Sequence, residues 1–301
     1  MTTIAFIGLG AMGAGMAANQ AKAGHKVLAY DLSPTALERA RAQGCTPAGS
    51  AAEAVKAADV VITMLPAGQH VRAVYHDEIL PNARLGTLLI DCSTIDVDSA
   101  RAVAKEAQAH DLAFADAPVS GGTAAADSGA LTFMVGCHEA SFAQFEAALA
   151  PMAKAVIHAG EAGAGQAAKI CNNMILGISM IGVCEAFALA ERLGLDAQKF
   201  FDIASKSSGQ CWSMTSYCPW PGPVPAAPSN RNYQGGFLTS LMLKDLKLAQ
   251  DAAAKSGATT PLGAQAEALY ALLDRLGAGG QDFSVMLQLL RGKLPSQGVG
   301  S

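Results

Sequence analysis

Charge is scarce in this chain of 301 residues. Only 15% of residues are Asp, Glu, Lys or Arg, the net charge is −4, and no run of Lys or Arg occurs. A groove for a phosphate backbone needs a basic stripe, so composition argues against nucleic acid as a partner. Paired cysteines are missing too. The seven cysteines, at positions 45, 92, 137, 171, 184, 211 and 218, form no CxxC pair, and the six histidines show no metal-ligand spacing. No metal site is expected, and reduced, mostly buried thiols are. No apolar stretch of membrane-spanning length runs without polar interruption; residues 174–190 come closest, and Glu185 breaks them. The chain enters a strand-like IAFIGLG after three residues, with no charged leader or cleavage site. These absences predict a cytoplasmic protein with no membrane partner. What the chain does have is apolar material: 51% of its residues are hydrophobic, enough for a large core, and its length suggests two domains.

Residues 3–7 form a short apolar run, and Gly8-Leu9-Gly10-Ala11-Met12-Gly13 follows at once. An Ala-rich stretch, 14–23, comes next, then a second strand at 26–30 closed by Asp31. Strand, glycine turn and helix in that order, with an acid 18 residues beyond Gly13, is the context in which GxGxxG binds a dinucleotide. Gly8 permits the tight turn, Gly10 lets the backbone approach a pyrophosphate, and Gly13 packs the helix on the strand. The helix N-terminus offers free N–H groups to phosphate. Asp31 suits both ribose hydroxyls and repels a 2′-phosphate, which favours NAD over NADP.

The alternation continues through strands at 59–65, 87–91, 112–116 and 131–135, with a helix at 99–110. It predicts a doubly wound, mostly parallel Rossmann sheet over 1–162. Ligands on such sheets lie beyond the carboxyl ends of the strands. Leu65-Pro66, Thr94 and Ser120-Gly121-Gly122 all fall at such ends.

After about residue 163 the strand signals stop. A long apolar helix, 163–193, links to an all-α domain that runs to 301, with helical patterning at 196–206, 239–257, 261–276 and 282–291. Asp196 and Thr239 are the expected N-caps. The proline-rich segment 218–236 forbids helix and central strand. An ordered loop is expected there, pinned by Trp212, Tyr217, Trp220 and Tyr233. The tail after Arg291 is expected to fray.

The long helix poses a question, because it is apolar nearly all round yet carries Lys169, Asn172 and Asn173 near its start. Positions 169 and 173 share a face. Burying an unpaired ammonium costs several kcal/mol. Burial also lowers a lysine's pKa, so Lys169 could take a proton from an alcohol while Asn173 holds a substrate oxygen. The plainer reading is a lysine on exposed first turns, reaching to water.

Four blocks in order, FIGLGAMGAGMA at 6–17, DAPVSGG at 116–122, GAGQAAKICNN at 163–173 and KDLKLA at 244–249, resemble the β-hydroxyacid dehydrogenase family nearly end to end. The stretches SSGQCW, CPWPG and NYQGGF point to its hydroxyisobutyrate branch. The resemblance implies NAD-dependent oxidation of 3-hydroxyisobutyrate to methylmalonate semialdehyde in valine breakdown, with Lys169 as catalytic acid/base. It implies that Ser120, Gly121 and Gly122 bind the substrate carboxylate and that Asn173 orients substrate. Leu65, Pro66 and Thr94 would line the nicotinamide and ribose, and Lys244 would approach the cofactor. Asp245 would orient its neighbours, and Trp212 and Phe237 would shape the pocket for a methyl branch. It also implies a homodimer or homotetramer. The alternatives are another small β-hydroxyacid (3-hydroxypropionate, glycerate with tartronate semialdehyde, or a threonate-like acid) and, in a different class, a non-catalytic NAD sensor.

Overall fold

The computed structural model describes residues 1–294, and the expected fraying of the tail lies largely outside them. The chain packs as two units, Met1–Lys169 and the remainder from Ile170. The break falls inside the long helix, not at 162/163, because that helix's first turns are hydrogen-bonded into the first unit.

The first unit is built on nine strands: β1 (Thr3–Ile7), β2 (Lys26–Tyr30), β3 (Thr46–Pro47), β4 (Val60–Thr63), β5 (Leu88–Asp91), β6 (Ala113–Asp116), β7 (Val119–Ser120), β8 (Leu131–Gly136) and β9 (Ala153–Gly160). Their order is β3-β2-β1-β4-β5-β6-β8-β7, with β9 on β8. Pairings from β3 through to β6 are parallel, as is β8 with β9; β8 runs antiparallel to β6 and β7. The sheet is the mostly parallel, doubly wound one expected. Alternation along β1 explains its two-sided burial. Ile4 and Phe6 join Val27, Ile62 and Phe133 in one core, while Ala5 and Ile7 join Val61, Leu89 and Tyr75 in the other. The chain order reverses at β1, with β2 on one side and β4 on the other, which is where such sheets receive ligands.

Three short or late strands, β3, β7 and β9, were not expected. β9 alternates between half-buried and exposed residues, so its apolar signal is diluted.

The second unit is helical. The long helix, Ala164–Arg192, spans both units. By length and composition it could cross a membrane, but Met180, Cys184 and Phe187 are fully buried in the second unit's core. Helices Ala197–Ala204, Thr239–Ser256, Pro261–Leu273 and Met286–Leu290 complete the main elements. Asp196 caps its helix, accepting from the Lys199 N–H at 3.0 Å. Thr239 does not: it is the first helical residue, and Leu238 precedes it without a side-chain cap. The proline-rich loop is ordered by its aromatics. Trp220 stacks on Phe187 with ring centres 5.8 Å apart, and the Tyr233 hydroxyl donates to the Pro219 carbonyl at 2.9 Å.

Candidate active site

The turn after β1 shows why its glycines are needed. Gly8 has φ +96°, and its N–H donates to the Tyr30 carbonyl at 2.9 Å. A Cβ on Gly8 would strike the Met64 carbonyl, and one on Gly13 would strike the Gly8 carbonyl. Gly10 is exposed, with open space where a Cβ would sit, so a ligand can come against its backbone. Leu9 is buried, Ala11 exposed and Met12 half-buried just before the helix Gly13–Lys22. In that helix's first turn the Ala14 and Met16 N–H groups donate to the Gly10 and Met12 carbonyls at 3.1 and 3.2 Å, which closes the turn onto the helix. Asp31 is tied to the turn: its Oδ2 accepts the Leu9 N–H at 2.6 Å and its Oδ1 accepts the Ser33 N–H at 2.8 Å. A glycine-rich cradle with a carboxylate at the end of β2 fits a dinucleotide.

The other strand ends carry the remaining expected residues of the first unit. Leu65 donates its N–H to Ser93 Oγ at 2.8 Å, Pro66 is exposed, and Thr94 is half-buried. Behind them Asp91, fully buried, accepts from Thr63 Oγ1 at 2.7 Å and Ser93 Oγ at 2.6 Å. Ser120 ends β7, and Gly121 and Gly122 follow with φ +140° and +71°. Two consecutive positive φ values demand glycine. A Cβ at Gly121 would also lie 2.6 Å from that of Ala125, whereas the space at Gly122 is open.

Lys169 is buried, with 7% of its surface exposed, so it does not reach to water from open first turns. The helix start is clamped to the sheet. Asp116, at the end of β6, accepts the Gly163 N–H at 2.6 Å and the Gln166 N–H at 2.8 Å. The Gln166 side chain accepts from the Ile95 N–H at 3.0 Å and donates to the Ser93 carbonyl at 2.8 Å. Burial pushes the Asp116 carboxyl up to about 6, against the pull of its backbone donors. Gln166, Lys169 and Asn173 are all buried at helical spacing, while Cys171 and Asn172 face outward.

In the second unit Asn173 donates to Asp245 Oδ2 at 2.6 Å and accepts from Asn172 at 3.0 Å. Asp245 is buried, and Lys244 Nζ lies 3.9 Å from its Oδ1. Asp245 thus lies against both side chains. Trp212, half-exposed, stacks on Tyr217 at 4.8 Å, and the chain of rings continues through Phe283 to Phe237. Buried Asp282 accepts from the Tyr217 hydroxyl at 2.7 Å and the Phe237 N–H at 2.8 Å. Sequence reasoning missed Asp91, Gln166, Asp116 and Asp282 as organisers. For Asp91 and Asp116 a signal existed: each is an acid closing an apolar strand.

A dinucleotide cradle on a Rossmann sheet fits a nicotinamide-dependent oxidoreductase. Residues 3–160 match the family model described as the NAD binding domain of 6-phosphogluconate dehydrogenase. Residues 163–290 match that described as NAD-binding of NADP-dependent 3-hydroxyisobutyrate dehydrogenase. A 3-hydroxyisobutyrate dehydrogenase of Pseudomonas aeruginosa is 48% identical over 97% of this chain and all of that one. An NAD-dependent L-serine dehydrogenase of the same organism is 47% identical over 99% of this chain and all of its own length. The structure of Mycobacterium tuberculosis 3-hydroxyisobutyrate dehydrogenase with L-serine is 51% identical, with a TM-score of 0.93 over 97% of this chain and 99% of that one. The chain belongs to the 3-hydroxyisobutyrate dehydrogenase family and is an NAD-dependent hydroxyacid dehydrogenase.

Proposed function

We propose that this chain oxidises 3-hydroxyisobutyrate to methylmalonate semialdehyde, with Lys169 as the acid/base. The observation that carries the reading is a lysine buried at the start of a helix that Gln166 and Asp116 clamp to the ends of β5 and β6. A buried titratable amine beside strand ends that receive ligands is a candidate acid/base.

NAD⁺, when bound, supplies the hydride acceptor. The Gly8–Gly13 turn holds its pyrophosphate, and Asp31 takes the adenosine ribose hydroxyls. Leu65, Pro66 and Thr94 serve the nicotinamide end. The Ser120 hydroxyl and the Gly121 and Gly122 amides take the substrate carboxylate, which fixes the distance to the carbinol carbon. Lys169, in its neutral form, takes the hydroxyl proton as that carbon gives up its hydride. Asn173, held in one orientation by Asp245 and Asn172, positions the substrate oxygen. The aromatic faces of Trp212 and Phe237 suit a methyl branch. We further read the protein as a cytoplasmic homodimer or homotetramer of valine breakdown. Exposed Ile175 and Leu189 on the long helix, with Leu193 just after it, supply apolar surface for association.

A second reading is favoured by the relatives. L-serine has the same carboxylate and β-hydroxymethyl group, with an ammonium in place of the methyl. Aromatic faces receive a methyl by burial and an ammonium by cation–π attraction, so the two compete for the same groups. NADH absorbance on adding NAD⁺ and, in turn, 3-hydroxyisobutyrate, L-serine, 3-hydroxypropionate and glycerate separates them. The proposal expects the highest kcat/KM with 3-hydroxyisobutyrate. A higher value with serine would replace it, and no turnover with any would remove small β-hydroxyacids from consideration.

A further inference from the structure

Asp116 does more than end a strand. Its two carboxylate oxygens take the N–H groups of Gly163 and Gln166, one just before the long helix and one in its first turn. Three chain segments meet at this residue. Asp116 pairs with Gly136 of β8, and a Cβ on Gly136 would strike the Asp116 carboxylate. A Cβ on Gly165 would strike the Asp116 and Met134 carbonyls. Both contact positions are glycine, so helix and strand approach as closely as backbone allows.

Four residues after Asp116 comes the Ser120-Gly121-Gly122 turn; three residues after Gln166 comes Lys169, on the same helical face. Gln166 is in turn hydrogen-bonded to the chain at Ser93 and Ile95, on either side of Thr94. One buried carboxylate therefore joins the strand that leads into the Ser120 turn to the helical turn that carries the amine.

We propose that Asp116 is a positioning residue for the reaction: it fixes the first turn of the long helix, and with it the Lys169 amine, relative to the Ser120-Gly121-Gly122 turn. The inference rests on the reading of Lys169 as acid/base. Helix-capping carboxylates in general add stability. A positioning role demands more, because misplacement of a reacting group by about 1 Å costs on the order of a hundredfold in rate.

Asp116→Asn keeps the side chain's shape and one acceptor oxygen, and turns the other contact into a donor facing an N–H. The test measures kcat per folded site, the Kd for NAD⁺ by fluorescence titration, and KM for substrate, in Asp116→Asn, Asp116→Glu, Lys169→Ala and the Asp116→Asn/Lys169→Ala double variant. In Asp116→Asn, kcat is expected to fall at least tenfold while the NAD⁺ Kd changes less than threefold. On the Lys169→Ala background the same change is expected to cost less than twofold, because no amine is left to misplace. Asp116→Glu restores both acceptors on a longer arm and is expected to recover part of kcat. An unchanged kcat in Asp116→Asn, or an equal loss with and without Lys169, would overturn the positioning role and leave a structural cap. If Asp116→Asn fails to fold, Asp116→Ala, which removes both acceptors, carries the cycle in its place, with the same criteria. Near-normal turnover in Lys169→Ala alone would instead refute the underlying reading, whatever Asp116→Asn does.

Discussion

Replacing Asp31 by Asn probes cofactor choice with little disturbance to the fold. The carboxylate is held by two N–H donors, Leu9 at 2.6 Å and Ser33 at 2.8 Å. Asn is nearly isosteric; with its oxygen on the Leu9 N–H that bond becomes neutral, and its amide faces the Ser33 N–H, so the Ser33 bond is lost as the charge leaves. Two unit charges 4 Å apart near a protein surface interact by about 4 kcal/mol. Asp31 is partly exposed, and water and salt discount its repulsion of a 2′-phosphate to about 1–2 kcal/mol. Since about 1.4 kcal/mol is a factor of ten, the variant should raise the ratio of kcat/KM for NADP⁺ over NAD⁺ by about tenfold. Turning the bond from Leu9 into a neutral one removes about 1 kcal/mol of support for the turn, so KM for NAD⁺ should rise a few-fold. Initial rates from reduced-cofactor absorbance, at low salt and at about 0.5 M salt, give both quantities. The shift should be larger at low salt, where the wild-type repulsion is unscreened. An unchanged ratio at low salt would refute the assignment of Asp31 as the discriminating group.

Gly13→Ala should abolish NAD⁺ binding, because the added methyl enters the space of the Gly8 carbonyl; a wild-type Kd by fluorescence titration would contradict that. Asp245→Ala should free the Asn173 side chain from its 2.6 Å bond and raise substrate KM by severalfold; unchanged substrate KM would count against Asn173 as the orienting group. Acid stability should depend on Glu191. Its hydrogen bonds from Arg291 and then Lys293 pull its carboxyl from 4.5 down to about 2. A depressed folded value gives stability that is present above about 4.5 and lost as pH falls towards 2. Thermal unfolding of Glu191→Gln should therefore approach wild type as pH drops from 6 to about 3; parallel Tm curves would reject this.

The sheet was legible where backbone geometry and burial act locally. β1, its glycine turn and β2 lie where the sequence puts them, because a strand, a left-handed Gly8 and a helix packed at Gly13 leave one arrangement. β9 was hidden, since its half-wet alternation carries little apolar signal. Thr239 looks like a cap but starts its helix, and nothing in its neighbours' spacing separates the two positions. The burial of Lys169 was an open question in the sequence, and it turns on contacts that spacing does not reveal. Asp116 reaches donors 47 and 50 residues away, and Gln166 reaches a carbonyl 73 residues back. Such pairings depend on which strand ends lie under the helix, which is a property of the whole sheet.

The most direct measurement is the turnover of Lys169→Ala, set beside its NAD⁺ affinity. General acid–base catalysis contributes about 10²–10⁴ in rate, so kcat with 3-hydroxyisobutyrate should fall by at least a hundredfold while the NAD⁺ Kd stays within about threefold. Turnover within a few-fold of wild type would show that the proton goes elsewhere and that this buried amine serves only the fold.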